Sequence, residues 1–179
     1  MEIVKICLDF GASKAEEILI GKLVLQEDLH DYCKRNSCGR YGTNYTCPPS
    51  IGKAEDLIAK LKTFDRAVFM QNIYPLEDSF DFEGMMHGNQ LHNAMTLKIA
   101  VQVYSELGRE KTLVLAAGGC SICKTCGVIT NEPCRDSQNA ISSLEAYGIN
   151  VSQIGKVSGL KYINGVNTVT YFSGFFLMD

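Results

Sequence analysis

The chain lacks most of the features from which an activity is usually read. It has three histidines, and His87 and His92 lie five apart, so they do not share a helix face as an i, i+4 metal pair would. No glycine-rich phosphate loop, Ser–His–Asp set or paired-carboxylate spacing is present. Basic residues are not in excess. Seventeen Lys and Arg against 20 Asp and Glu give a net charge of -3 and a pI near 5.6, which argues against nucleic-acid binding. No apolar run approaches the eighteen or so residues of a spanning helix, so no membrane segment is expected. Glu2, Lys5 and Asp9 interrupt the N-terminal apolar pattern and spoil a leader signal, so a cytoplasmic location is expected. No repeat, charge block or long linker divides the 179 residues, which read as one domain, 1–179.

What the chain does have is cysteine, eight in all. In a reducing compartment these are better read as ligands than as disulfides. Four of them, Cys120, Cys123, Cys126 and Cys134, fall within fifteen residues as Cys-x2-Cys-x2-Cys-x7-Cys. Two successive two-residue spacings put three thiolates around one tight turn, which suits a cuboidal cluster whose sulfurs each reach a different iron. A single tetrahedral zinc prefers paired CxxC knuckles set further apart. Gly118 and Gly119 before the first thiol, and Gly127 after the third, let the backbone close around a bulky group. A [4Fe–4S] cluster is the leading reading, with zinc as the alternative.

Cys33, Cys38 and Cys47 form a second group, Cys-x4-Cys-x8-Cys, followed by Pro48 and Pro49. A proline after the last ligand also closes bacterial ferredoxin runs. The stretch between these cysteines is turn-rich without apolar period, a loop held by what it binds. A structural zinc loop with one further ligand stays open for this group. Cys7, between Ile6 and Leu8, reads as a small buried hydrophobe. His92 is expected as a hydrogen-bond donor to a ligand, and His30 as a solvated residue.

Periodicity predicts strands over 3–8 and 18–25 and a short helix over 27–35 that points Leu29, Tyr32 and Cys33 to one side. A second helix starts at Ser50 or Gly52 and buries Ala54, Leu57, Ile58 and Leu61. A strand follows over 67–73, then a helix over 91–107 stopped by Gly108. A short strand over 112–117 runs into the four-cysteine loop. A helix from Asp136 or Ser137 to Tyr147 and a strand over 168–177 complete the order ββααβαβαβ. The fold class is α/β: a sandwich of a mixed sheet with helices packed on it, a ferredoxin-like split βαβ being one candidate.

The combination Cys38-x2-Tyr41-Gly42-x-Asn44-x2-Cys47-Pro48-Pro49, then Gly118-x-Cys120-x2-Cys123-x2-Cys126 and Pro133-Cys134-Arg135, resembles a family labelled "predicted metal-binding protein". That family is found mainly in anaerobes and methane-producing microbes. The resemblance extends to Leu91-His92 and to Glu145-Ala146-Tyr147-Gly148-Ile149. It implies that Cys33, Cys38, Cys47, Cys120, Cys123, Cys126 and Cys134 act as ligands, and it brings no activity. Gly119 departs from the family pattern, where proline is expected, and should loosen the loop without removing a ligand.

One or two [4Fe–4S] clusters are expected; seven ligands divide awkwardly into two sets of four, so either an eighth ligand exists or one cluster keeps an iron open. The leading expectation is an iron–sulfur protein that passes single electrons to or from a redox partner protein, with self-association as a further option. Arg40 and Arg135 flank the cysteines and would offset the negative charge of a four-thiolate cluster. An enzyme is the second expectation, using an open-site cluster with Arg40, Tyr41 and Asn44 nearest to a small substrate. A zinc-binding structural or interaction module is the third.

Overall fold

The last strand organises the rest of the molecule. In β5 (Thr168–Leu177), Phe172 and Phe176 join one apolar cluster while Phe175 and Leu177 join another on the opposite face. A strand apolar on both faces must be covered on both. Its neighbour β2 (Arg66–Pro75) repeats the pattern, Ala67 and Phe69 against Val68 and Met70. This computed structural model describes residues 2–179.

Five strands form one sheet in the order β1-β2-β5-β3-β4. Strand β1 (Lys14–Leu19) pairs antiparallel with β2, and β3 (Thr112–Ala116) pairs antiparallel with β5. The two-residue β4 (Ser142–Ser143) is parallel to β3, so the sheet is mixed. Strands β2 and β3 are both antiparallel to β5. They therefore run parallel with β5 between them, and the chain crosses from one to the other through the 26-residue helix α4 (Phe82–Leu107). This is one split βαβ unit.

Helices α1 (Ile3–Asp9) and α4 cover one face through Ile3, Cys7, Ile99 and Val103. Helices α3 (Ala54–Leu61) and α5 (Val151–Ser158) cover the other through Leu57, Leu61 and Ile154, together with a 3-10 turn at Glu145–Tyr147. The molecule is an α/β sandwich. A short helix, α2 (Leu29–Lys34), lies outside this core.

Several local readings need correction. Residues 3–8 are helical, not extended: over seven residues Ile3 and Cys7 at i, i+4 fit either period, and packing on α4 and the sheet decides. The strand expected over 18–25 lies earlier, at Lys14–Leu19, and Ile20–Lys22 is a 3-10 turn. Its first residues are polar because β1 is an edge strand, so the apolar pattern concealed them. Helix α4 starts nine residues before Leu91, with the Asp81 carboxylate accepting from Gly84 N at 2.8 Å. Gly84 and Gly88 weaken the helical signal there. No helix spans 136–147. Asp136 caps only a local turn through the Asn139 backbone and side chain, which imitates a helix start. The real helix in this region is α5, capped by Asn150 and ended by Gly159.

Candidate metal centre

The four-cysteine loop leaves the sheet at the end of β3, where ligand sites of α/β folds concentrate. Of residues 117–141, only Gly127 is buried. A Cβ at Gly127 would sit 2.6 Å from the Glu132 carbonyl, so the turn closes only on glycine. Cys120, Cys123, Cys126 and Cys134 line one cavity of about 330 Å³. Its far wall comes from residues 39–46. There the Asn44 side-chain amide donates to the Cys120 carbonyl at 2.6 Å, and Cys120 N donates to the Thr46 hydroxyl at 2.9 Å. Thr46 in turn donates through its backbone N and its hydroxyl to Asn44 Oδ1, which fixes both side chains. The Tyr45 hydroxyl donates to the Glu132 carbonyl at 2.7 Å. Arg135 pairs with Glu132 and donates to the Thr125 carbonyl at 2.9 Å, which brings its guanidinium beside the Cys123 thiol.

Cys33, Cys38 and Cys47 line a second cavity of about 620 Å³ with Tyr41 and Glu145. Arg40 borders both cavities and donates to the Cys120 carbonyl at 3.4 Å. Gly119 is the closest joint between the two cysteine groups. A Cβ there would lie 2.5 Å from Cys47 Sγ, so the departure from proline serves close contact, beyond any loosening of the loop. The structure thus assembles the cysteines as the spacing grouped them, and sets the two groups side by side. Tyr41 faces the three-thiol cavity as expected. Asn44 does not. It belongs to the four-thiol wall, held there by its bond to Cys120.

Burial dominates the electrostatics. It pushes the Cys47 thiol up to about 11, with Cys38 adding to the effect and the Thr46 and Arg40 side chains opposing it. Burial raises Cys33 as well, helped by Cys38 and by the Glu145 carboxylate. It also raises Cys120, partly offset by the Ile122 amide and reinforced by Cys134, Cys123 and Cys126. A metal binding here must displace protons from these thiols.

The remaining candidates lie elsewhere. Cys7, on α1, is fully buried in the cluster beneath that helix, its thiol pushed up to about 12 by burial. His92 is not bonded to any cysteine. Its Nδ1 bonds Asn72 at 2.9 Å and its Nε2 bonds Ser173 at 2.8 Å beneath α4. Burial holds its imidazole down to about 4. His30 is not simply solvated: its Nε2 bonds the Ala146 carbonyl at 2.7 Å. Glu145 and Thr46 escaped the sequence reading as site residues. The Glu-Ala-Tyr-Gly-Ile stretch was visible, but nothing local told that it folds back onto Cys33.

Thiols set around a cavity are compatible with a cluster. Thiolates on one zinc converge to about 2.3 Å from a common point. Among the described residues no three Cys, His, Asp or Glu side chains are placed to hold one metal ion; the thiols stand around cavities instead. A cuboidal cluster takes its thiolates at separate irons, around a body of its own.

Among the described residues no helix is long and apolar enough to cross a membrane. No curated protein and no solved structure matches the chain. The cysteine pattern has a counterpart nonetheless: residues 16–177, which take in both thiol groups, match the model of the family described as predicted metal-binding protein (DUF2284), and the chain belongs to that family.

Proposed function

We propose that this chain is an iron–sulfur protein that holds one or two [4Fe–4S] clusters and passes single electrons to or from a redox partner. The observation that carries this reading is the adjacency of two thiol-lined cavities across the Cys47–Gly119 contact. The four-thiol set has one thiolate for each iron of a cluster, and the three-thiol set leaves one corner to another ligand. Arg135 beside Cys123, and Arg40 between the cavities, offset the negative charge of such groups. No flavin or nucleotide motif accompanies the cysteines, so the redox cycle is completed by a docking protein, with self-association as a further option.

Iron and acid-labile sulfide counted after anaerobic purification test the reading. About four of each per cluster are expected, up to about eight per chain. Stoichiometric zinc without sulfide would overturn it in favour of a structural zinc module.

A second reading, an enzyme acting on a small substrate, draws on the size of the three-thiol cavity and on Tyr41, Arg40 and Glu145 at its wall. Small candidate ligands added to the reduced, loaded protein should then change its electron paramagnetic resonance spectrum. A spectrum indifferent to all of them argues for electron transfer alone.

A further inference from the structure

The three-thiol cavity lacks a fourth thiol. Seven cysteines are used in the two cavities, and Cys7, the eighth, is sealed under α1 on the opposite side of the sheet. Of the three histidines, His92 is tied to Asn72 and Ser173 beneath α4, His30 is spent on the Ala146 carbonyl, and His87 is exposed on α4 and lines neither cavity. One carboxylate stands in the cavity wall, that of Glu145.

Its position is fixed from both sides. Glu145 opens the 3-10 turn that follows β4, and the next residue accepts the His30 bond from the helix that carries Cys33. The flanking chain is fastened too: Gln26 N donates to the Gly148 carbonyl at 2.8 Å, and the Asn150 amide donates to the Gln26 side chain at 2.8 Å. Leu25 and Ile149 pair as an isolated antiparallel bridge. Residues 25–33 and 145–150 are therefore fastened together, which holds Glu145 in the wall it shares with Cys33.

The Glu145 residue is half-buried in the wall of the three-thiol cavity, next to Ser143, which lines the same wall. It takes part in no ion pair among the described residues. A carboxylate with no ion-pair partner, set in the same wall as three thiols, is an oxygen donor that a metal group held by those thiols can take.

We infer that Glu145 is the fourth protein ligand of the three-thiol site, an oxygen donor completing Cys33, Cys38 and Cys47. The inference rests on the iron–sulfur reading for the group it ligates, and it answers the missing eighth ligand. A carboxylate holds iron less firmly than a thiolate does, so this corner is also where a small ligand would enter the site.

The test uses the full chain, reconstituted anaerobically with iron and sulfide, as parent, Glu145→Gln and Glu145→Cys. Brief exposure to a chelator together with ferricyanide, which takes up one electron, should release one ferrous ion per chain from Glu145→Gln and leave the oxidised three-iron signal in electron paramagnetic resonance. The parent and Glu145→Cys should keep their iron. Melting adds a readout that a merely structural role would not give. Without metal, Glu145→Gln should melt no lower than the parent, because the carboxyl has no ion pair to lose. With metal bound it should melt below. Equal iron retention and the same order of melting in both states would overturn the inference while leaving the clusters in place. If the parent instead carries zinc and no sulfide, the iron–sulfur reading falls. Glu145 is then judged by zinc retention in the same variants, equal retention overturning it.

Discussion

The two cysteine segments are built on opposite principles. Residues 33–47 bring much of their own structure: Asn44, Thr46 and Cys47 are buried, and Cys33 rides on a helix anchored through His30. Residues 117–141 have one buried residue and are held by hydrogen bonds to the other segment. The first can form a wall before metal arrives. The second borrows its shape from that wall, and on the proposed reading metal at its four thiols would contribute folding free energy.

The sharpest break of this contrast is a pair of alanine variants. Loaded anaerobically, Cys123→Ala should lose about 4 kcal/mol, or roughly 10 °C in Tm, whereas Cys38→Ala should stay within about 3 °C of the parent and lose partner reduction. Equal losses, or a larger loss for Cys38→Ala, would reverse the assignment of roles.

Acid offers the next largest effect, and one that belongs to neither segment. The folded His92 imidazole titrates at about 4 against 6.5 when free, so the unfolded chain takes up its proton first as pH falls. Stability is complete above pH 6.5 and declines by roughly 3 kcal/mol on the way to pH 4. Metal-free protein should show this slope and His92→Gln should lack it; an unchanged slope in the variant would remove His92 as its source. The two alanine variants are therefore best compared above pH 6.5.

Gly119→Ala tests the joint between the segments. The added methyl meets Cys47 Sγ and should cost about 2 kcal/mol. It should also lower iron content at both sites, and loss confined to one of them would show that the cavities do not share this wall. The smallest effect should come from Tyr45→Phe, which removes the bond to the Glu132 carbonyl. A loss of about 1 kcal/mol with faster proteolysis at Lys124 is expected, and unaltered cleavage would release the loop from this tether.

Much of the fold could be read locally. Helix α3, strands β2, β3 and β5, and the end of α4 at Gly108 match their periodicity, because long or well-bounded apolar patterns admit one period. The misreadings share a cause. At residues 3–8 and 136–147 a short local signal was compatible with two structures, and packing or an isolated turn chose between them. Tyr32 shows the same limit: helical spacing put it on one face with Leu29 and Cys33, yet it is 56% exposed with Arg35 over its ring.

The sequence by itself determined the chemistry: seven thiols in two groups, with glycines where the backbone must close, since ligand type and spacing are properties of neighbouring residues. Only the tertiary structure decided that the groups adjoin and that Glu145 lines one of the two cavities. Asn44 and Cys120 are 76 residues apart and His30 and Ala146 are 116 apart. They meet because β2, α4 and β3 carry the chain across the sheet and back, and that path is set by burying both faces of the central strands, not by any motif.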